Sequence, residues 1–209
     1  MREEIIHARE GLERLYNASY LGELKAPPVQ PVLEQLALRA DDVVVELGSG
    51  NGHFTLPIAR RFEEEQGRGV IFGCDFSRSL VDDLGAKAAA ERVDVHLRAV
   101  SLGDILPETL PFADASVDMV LSVNVLQYLA DPRPYLREIA RVLVPGGGML
   151  VADWREPVPS RSGDNREKGR TPEQFYSMPA EVGLESILPL ELSGYFWAVQ
   201  AVRPIVFTV

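Results

Sequence analysis

The sequence is poor in residues that cross-link chains or bind metal ions. Cys74 is the only cysteine among 209 residues, so neither an intramolecular disulfide nor a cysteine-based metal cluster can form. The three histidines, at positions 7, 53 and 96, are scattered without the spacing of metal ligands, and no metal site is expected. Cys74 itself is more typical of a small, buried strand residue.

Basic residues are also scarce. The chain has 21 Lys and Arg against 31 Asp and Glu, which gives a formal net charge of -10. Binding along a nucleic acid relies on clustered Lys and Arg, so no nucleic-acid partner is expected and a small molecule is the better match. No apolar run approaches the length of a membrane span, and the N-terminus, MREEIIHARE, is charged where a signal peptide is apolar. We therefore expect a cytoplasmic protein without a membrane span, of undetermined oligomeric state.

The length fits one domain with a short extension. Apolar residues near the N-terminus follow helical spacing, and three prolines within residues 25–31 separate that helix from the rest. We predict a helical extension over residues 1–31, packed on the core or covering it as a lid, and one domain over residues 32–209. If the extension is a lid, Tyr16 and Tyr20 would reach the entrance of the substrate site. Aromatic residues at helical spacing also fit simple packing on the core.

The stretch VVVELGSGNG, residues 43–52, organises the chain. Its β-branched run predicts a buried strand, and the residues after it place Phe54, Ile58 and Phe62 at helical spacing. Between them, Gly48 and Gly50 can adopt positive φ and let a ligand approach the backbone. Strand, glycine turn and helix form a nucleotide-binding layout, but a tight turn that binds nothing would use the same glycines.

A second feature favours binding. The next apolar run ends at Asp75, which lies 23 residues after Gly52. In βαβ nucleotide sites a carboxylate about 20 residues beyond the glycine turn accepts hydrogen bonds from ribose hydroxyls. Ser77 then resembles the N-cap of another helix.

The rest of the chain continues the alternation of strands and helices. Apolar and polar residues alternate over 93–99, which predicts a third strand with His96 facing solvent. A fourth strand is expected at 117–122 and a fifth at 149–153, with a helix between them that starts at Asp131 and Pro132.

The C-terminal part begins with residues 160–170, which are polar and predict a loop. Their composition does not decide whether this loop closes over a substrate. Thr171 and Gln174 form a capping box for a helix that ends near Gly183. Two strand-like runs then read as a hairpin. The predicted fold is α/β, a Rossmann-like, doubly wound, mostly parallel seven-stranded sheet with helices on both faces and a C-terminal antiparallel hairpin.

Four stretches in order resemble the motifs of class I S-adenosylmethionine-dependent methyltransferases. They are ELGSGNG at 46–52, GCDFS at 73–77, LPFADASVDMVLSVNVLQYL at 110–129 and EIARVLVPGGGMLVAD at 138–153. The likeness covers roughly residues 30–203 and is greatest to the small-molecule branch that includes the quinone-biosynthesis enzymes. It implies a methyltransferase with S-adenosylmethionine as cofactor and a small-molecule acceptor.

The resemblance also implies roles for single residues. Glu46 and the glycines would line the methionine part of the cofactor, Asp75 would hold the ribose and Phe76 would pack on the adenine. The implied cofactor-binding residues are Glu46, Gly48, Ser49, Gly50, Asn51, Asp75, Phe76, Ser101, Leu102 and Ser122.

The adenine-edge position departs from the family pattern. An acidic residue usually lies about four positions before the LPF-like leucine, whereas Asp104 lies six before Leu110. Counting from the third strand instead selects Ser101 and Leu102. We favour Ser101 and keep Asp104 as the alternative.

On the acceptor side, methyl transfer is an in-line displacement in which a dedicated base is optional. Tyr128 and Asp153 are the candidate catalytic residues if a proton must leave, because they follow the fourth and fifth strands. The candidate substrate-pocket residues are Tyr16, Tyr20, Gln127, Tyr128 and Trp154.

Two other functions remain open. An NAD(P)-dependent Rossmann oxidoreductase needs a small residue at the sixth position of the glycine pattern, where this chain has His53. A protein that binds S-adenosylmethionine without catalysis fits the same motifs.

Overall fold

The structure, a computed structural model, describes residues 26–102, 109–126, 129–154, 171–193 and 196–206. Several predicted features lie outside the described residues: the extension with Tyr16 and Tyr20, Asp104, Gln127, Tyr128 and the loop at 160–170.

Strands and helices alternate along the chain. The strands are β1 (Val43–Leu47), β2 (Val70–Asp75), β3 (Leu97–Ser101), β4 (Val117–Val123), β5 (Leu143–Trp154), β6 (Glu185–Ser193) and β7 (Phe196–Val202). The helices are α1 (Val29–Leu36), α2 (Thr55–Glu64), α3 (Arg78–Glu91), α4 (Arg133–Val142), α5 (Pro172–Tyr176) and α6 (Met178–Glu181).

The seven strands form one sheet in the order β3-β2-β1-β4-β5-β7-β6. The first five are parallel, and β7 runs antiparallel to both β5 and β6. Helices α1 to α3 bury their apolar residues on one face of the sheet, and α4 to α6 on the other. This confirms the predicted doubly wound sheet and its hairpin, and it brings the carboxyl ends of β1 to β5 to one edge.

Helix α1 lies across the boundary that the sequence suggested at residue 31. It starts at Val29, in spite of the prolines, and buries Val32, Leu33 and Leu36 in the core. Proline is tolerated in the first turn of a helix because the N–H groups there have no partner within the helix.

Strand β5 is longer than the predicted 149–153 because it includes the glycine run. A Cβ on Gly147 would lie 3.0 Å from the Asp118 carbonyl oxygen of β4, and one on Gly148 would lie 2.9 Å from Met119 Cε. The absence of side chains lets β4 and β5 approach closely, so the strand begins at Leu143, directly after α4.

The prediction that His96 faces solvent is wrong. A turn closed by the His96 N–H and the Val93 carbonyl (3.0 Å) precedes β3, which begins only at Leu97, so strand alternation does not apply. His96 is 8% exposed, with Nδ1 2.8 Å from the Gly69 carbonyl oxygen and Nε2 3.0 Å from Glu63 Oε2.

The predicted helix starts are mostly confirmed, with changes in detail. Thr171 and Gln174 form the capping box, but the segment divides into two short helices, α5 and α6. Pro132 occupies the N-cap position of α4, and Asp131 Oδ1, one residue earlier, accepts the Arg133 N–H at 3.0 Å. Ser77 occupies the N-cap position of α3, although its side chain makes no capping hydrogen bond.

Cys74 is buried and free, as expected of a small strand residue. Across the described ranges, no helix is both long and apolar enough to cross a bilayer. In the same ranges, no group of three or more His, Cys, Asp or Glu is placed to hold a metal ion.

Candidate functional site

The glycine turn wraps around the end of β2. The N–H groups of Gly48 and Ser49 both donate to the Cys74 carbonyl, at 2.8 and 3.0 Å. Gly48, Gly50 and Gly52 have φ of 81°, 53° and 97°, backbone conformations that residues other than glycine rarely adopt. The positive φ expected at Gly48 and Gly50 is confirmed.

Close packing adds a second reason for glycine in this turn. A Cβ on Gly48 would lie 2.4 Å from Val125 Cγ2, and one on Gly52 would lie 2.6 Å from Leu84 Cδ1. The His53 side chain is exposed. The close-packed position is therefore Gly52, one residue before the position that a dinucleotide fingerprint reserves for a small residue.

Asp75 holds the turn in shape. Its Oδ2 accepts the Gly50 N–H at 2.9 Å and its Oδ1 accepts the Ser77 N–H at 2.8 Å. Burial raises the pKa of Asp75 above its ordinary value, and the N–H groups of Ser77, Gly50 and Phe76 oppose that rise. Each carboxylate oxygen can accept more than one hydrogen bond, so Asp75 can shape the turn and still bind a ligand hydroxyl. The sequence did not indicate the first of these roles.

Glu46 lies on the same face of the sheet as Asp75. It is paired with Gly73, two residues before Asp75, and successive strand residues alternate between faces. Glu46 is 2% exposed and accepts a hydrogen bond from the Thr55 hydroxyl. Burial raises the pKa of Glu46 to about 8; the hydrogen bond from Thr55 opposes the rise and the negative charge of Asp75 adds to it.

Ser49 carries a buried hydroxyl group in the glycine turn. Its Oγ is buried and has no hydrogen-bond partner within the part of the chain that the structure describes. Buried hydroxyl groups are nearly always paired, so this one indicates a ligand atom in the turn. The neighbouring Asn51 carbonyl accepts a hydrogen bond from Lys87 Nζ at 3.3 Å.

The predicted adenine-side residues gather at the ends of β2 and β3. Ser101 pairs with Asp75 and is exposed, whereas the Leu102 N–H donates to the Asp75 carbonyl at 2.9 Å. The side chains of Phe76 and Leu102 are half-buried.

Ser122 and Asp153 lie on the opposite face of the sheet from Glu46. Ser122 is paired with Leu47, the residue after Glu46, and its Oγ accepts the Tyr135 hydroxyl of α4 at 2.7 Å. Burial raises the pKa of Tyr135. Asp153 is 4% exposed, and its Oδ1 accepts the Trp154 N–H at 2.8 Å. The candidate residues are thus divided between the two faces.

Trp154 lies on the face of Glu46, at the end of β5. Strand register connects Glu46 to Leu121 and Leu121 to Leu150, four residues before Trp154. The Trp154 ring packs on Phe196 with centroids 4.3 Å apart, and it is half-buried. Phe196 is 2% exposed, so Trp154 is the accessible ring of the pair, on the side of the sheet that holds the two carboxylates.

Sequence reasoning missed Arg141, which attaches residues 110–112 to α4. Its guanidinium donates to the Leu110 and Phe112 carbonyls at 3.1 and 2.9 Å and contacts Glu138 at 2.8 Å. The guanidinium holds the pKa of Glu138 below its ordinary value, and Glu138 Oε2 accepts the Leu110 N–H at 2.7 Å. Arginine and glutamate at a three-residue spacing in EIAR were the available signal.

Comparison with known proteins gives a consistent result. A sequence profile of the family described as "Methyltransferase domain" matches residues 45–151. The chain is 31% identical over 151 residues to 27-O-demethylrifamycin SV methyltransferase of Amycolatopsis mediterranei, covering 72% of the chain and 52% of that protein. It is 34% identical over 125 residues to demethylmenaquinone methyltransferase of Corynebacterium efficiens, covering 60% and 47%.

The fold has similar solved structures. A SAM-dependent methyltransferase from Aquifex aeolicus superposes with a TM-score of 0.73 at 18% identity, covering 93% of this chain and 97% of that one. Against the two curated relatives, the match spans only about half of each protein's length.

Proposed function

We propose that this chain, which belongs to the methyltransferase domain family, transfers a methyl group from S-adenosylmethionine to a small organic molecule. One observation supports this more than any other. Two buried carboxylates, Glu46 and Asp75, flank a glycine turn on one face of the sheet, at the carboxyl ends of adjacent parallel strands. Ligands of open α/β sheets bind at this edge.

The residues present fit this cofactor. S-adenosylmethionine has a positively charged sulfonium and amino group, a ribose diol and an adenine, and when bound it supplies a methyl group activated for displacement. Two carboxylates suit a cation, and a bound ligand would give the buried Ser49 hydroxyl a partner that it lacks among the described residues. Asp75 accepts hydrogen bonds from the diol, and the half-buried side chains of Phe76 and Leu102 pack beside the adenine.

The main task of the protein is then alignment. Holding a nucleophile in line with the methyl group is worth about 7–11 kcal/mol in favourable cases. A hydroxyl or acidic carbon acceptor must also lose a proton, and Asp153 and Tyr128 remain the candidates to take it.

For the acceptor we propose a flat, largely apolar molecule such as a hydroquinone. The half-buried Trp154 ring, which packs on the buried Phe196, supports this class, since rings stack favourably on rings. The names of the two curated relatives, which refer to a rifamycin and to demethylmenaquinone, point the same way.

Calorimetry followed by a transfer assay tests the proposed function. We expect S-adenosylmethionine and S-adenosylhomocysteine to bind, and label from methyl-labelled S-adenosylmethionine to appear in a naphthohydroquinone or a rifamycin-type hydroquinone. Binding without transfer to any acceptor of a broad metabolite panel would support a binding protein instead. Binding of NADH but not of S-adenosylmethionine would support the oxidoreductase.

Intrinsic fluorescence tests the acceptor surface separately. The chain has two tryptophans, and Trp197 is fully buried, so a quinone at the site should quench Trp154 selectively. We expect menadione to quench the wild-type protein and to have much less effect on Trp154→Phe. Equal quenching of both proteins would exclude this surface as the acceptor wall.

A further inference from the structure

The two carboxylates at the glycine turn, Glu46 and Asp75, are stabilised by different numbers of hydrogen bonds. Asp75 receives three backbone N–H groups, from Gly50, Ser77 and Phe76. Glu46 receives the hydroxyl and backbone N–H of one residue, Thr55, and is almost fully buried. Asp75 is therefore the better stabilised anion of the two.

Two buried carboxylates on one face of adjacent strands disfavour each other's ionisation unless a cation lies beside them. Each loses its hydration, and each negative charge disfavours the other. The free protein must therefore hold either a proton or a bound cation at the pair, and the proton falls on Glu46 because it is the less supported anion.

Within the described residues, no neighbouring cation pairs with Glu46. From β2, Asp75 adds a negative charge and Cys74 a thiol whose pKa burial raises. From α2, Thr55 is neutral, and from β4 the paired residue is Leu121. Lys87 of α3 bonds the Asn51 carbonyl through Nζ, and its charge pairs with Asp83 at 2.7 Å.

We infer that binding of a cationic ligand in the glycine turn expels one proton from Glu46 into solvent. The carboxylic acid O–H bond breaks, the electron pair stays on the carboxylate, and the ligand's positive charge takes the place of the proton. This inference rests on the proposed function, because it takes the sulfonium or the amino group of S-adenosylmethionine as the cation.

The coupling makes affinity depend on pH. With the Glu46 pKa at about 8 in the free protein, about 0.9 proton is released per ligand at pH 7. Affinity should rise about tenfold from pH 6 to pH 7 and level off above pH 8, where Glu46 is already ionised. Release from Glu46 should fall to about 0.1 proton per ligand at pH 9.

Titration calorimetry in two buffers tests this directly. Phosphate and Tris differ in ionisation enthalpy, so released protons appear as a buffer-dependent heat. We expect that difference with wild-type protein and S-adenosylmethionine, and its loss in Glu46→Gln, which keeps the shape without the proton. Protons that the ligand itself exchanges appear with both proteins and cancel in the comparison. S-adenosylhomocysteine, which lacks the sulfonium, shows whether the sulfonium or the amino group is the cation.

The possible failures are distinguishable. Equal heats in both buffers at pH 7, with clear binding, would overturn the inference and leave the proposed function intact. No binding of either ligand would overturn both. If Glu46→Gln does not fold or does not bind, the affinity of wild-type protein at pH 6 and pH 7 gives the same decision, because the ligand's amino group stays protonated over that range. An affinity that is equal at the two pH values would overturn the inference.

Discussion

A methyl group added at Gly48 should destabilise the protein by two separable effects. Gly48→Ala forces a side chain into a backbone with φ of 81° and places its Cβ 2.4 Å from Val125 Cγ2. The left-handed conformation costs about 1–2 kcal/mol, and inserting a methyl group into a filled space costs about 1–3 kcal/mol more. The free energy of unfolding should therefore fall by about 2–5 kcal/mol, which lowers Tm by about 4–20 °C in a chain of this size.

Gly183 provides a matched control for this measurement. Its φ is 85°, nearly that of Gly48, but a Cβ there would have no atom within 4 Å. Gly183→Ala should cost only the conformational part, about 1–2 kcal/mol. The difference between the two alanine variants in urea or thermal denaturation isolates the contact with Val125.

A double variant then identifies the neighbour responsible. Val125→Ala removes the atom that the new methyl group meets, so Gly48→Ala should cost about 1–3 kcal/mol less in that background. Equal losses for Gly48→Ala and Gly183→Ala, together with no coupling to Val125, would refute the close packing of the turn against the segment after β4.

Three further changes test the contacts around the site. Asp75→Ala should weaken S-adenosylmethionine binding by about 10- to 100-fold, because hydrogen bonds to a charged group are worth about 1.5–3 kcal/mol; unchanged affinity in calorimetry would exclude Asp75 as a cofactor residue. Arg141→Ala removes the bonds to the Leu110 and Phe112 carbonyls and should lower the free energy of unfolding by about 2–3 kcal/mol. The matched change at the exposed Arg137, Arg137→Ala, should alter it by less than about 0.5 kcal/mol. Similar losses for the two variants would contradict the attachment of residues 110–112 to α4 through Arg141. Tyr135→Phe should cost about 1–3 kcal/mol, because the Ser122 hydroxyl stays buried without its donor, and Ser122→Ala in the same chain should remove most of that loss; additive losses would show that the bond contributes little.

The strands were predictable because their signals are local. A buried parallel strand needs a nearly continuous apolar run, and β1, β2 and β4 each have one, interrupted in β4 by Asp118. The glycine turn and Asp75 were predictable for the same reason. The positive φ of the turn is indicated by its own glycines, and the end of β2 at Asp75 is indicated by the apolar residues just before it.

What the sequence did not show depends on contacts between distant segments. His96 is buried because Glu63 and Gly69 approach it from other elements, which alternation along 93–99 cannot reveal. The glycines before Met149 continue a strand because β4 lies close to them, whereas glycine alone suggests an end. Ser122 and Glu46 lie on opposite faces of the sheet because Ser122 is paired with Leu47 and not with Glu46. This pairing between strands cannot be read from the two residues' positions in the sequence.

The hydrogen bonds that hold the glycine turn against β2 are accepted by Cys74 and Asp75, so both ends of these bonds lie within the segment from Val43 to Ser77. Exchanging the chain beyond Trp154, which includes the aromatic partner of that residue, would leave these bonds in place. Under the proposed function, the donor site could therefore be held constant while residues that face the acceptor are varied.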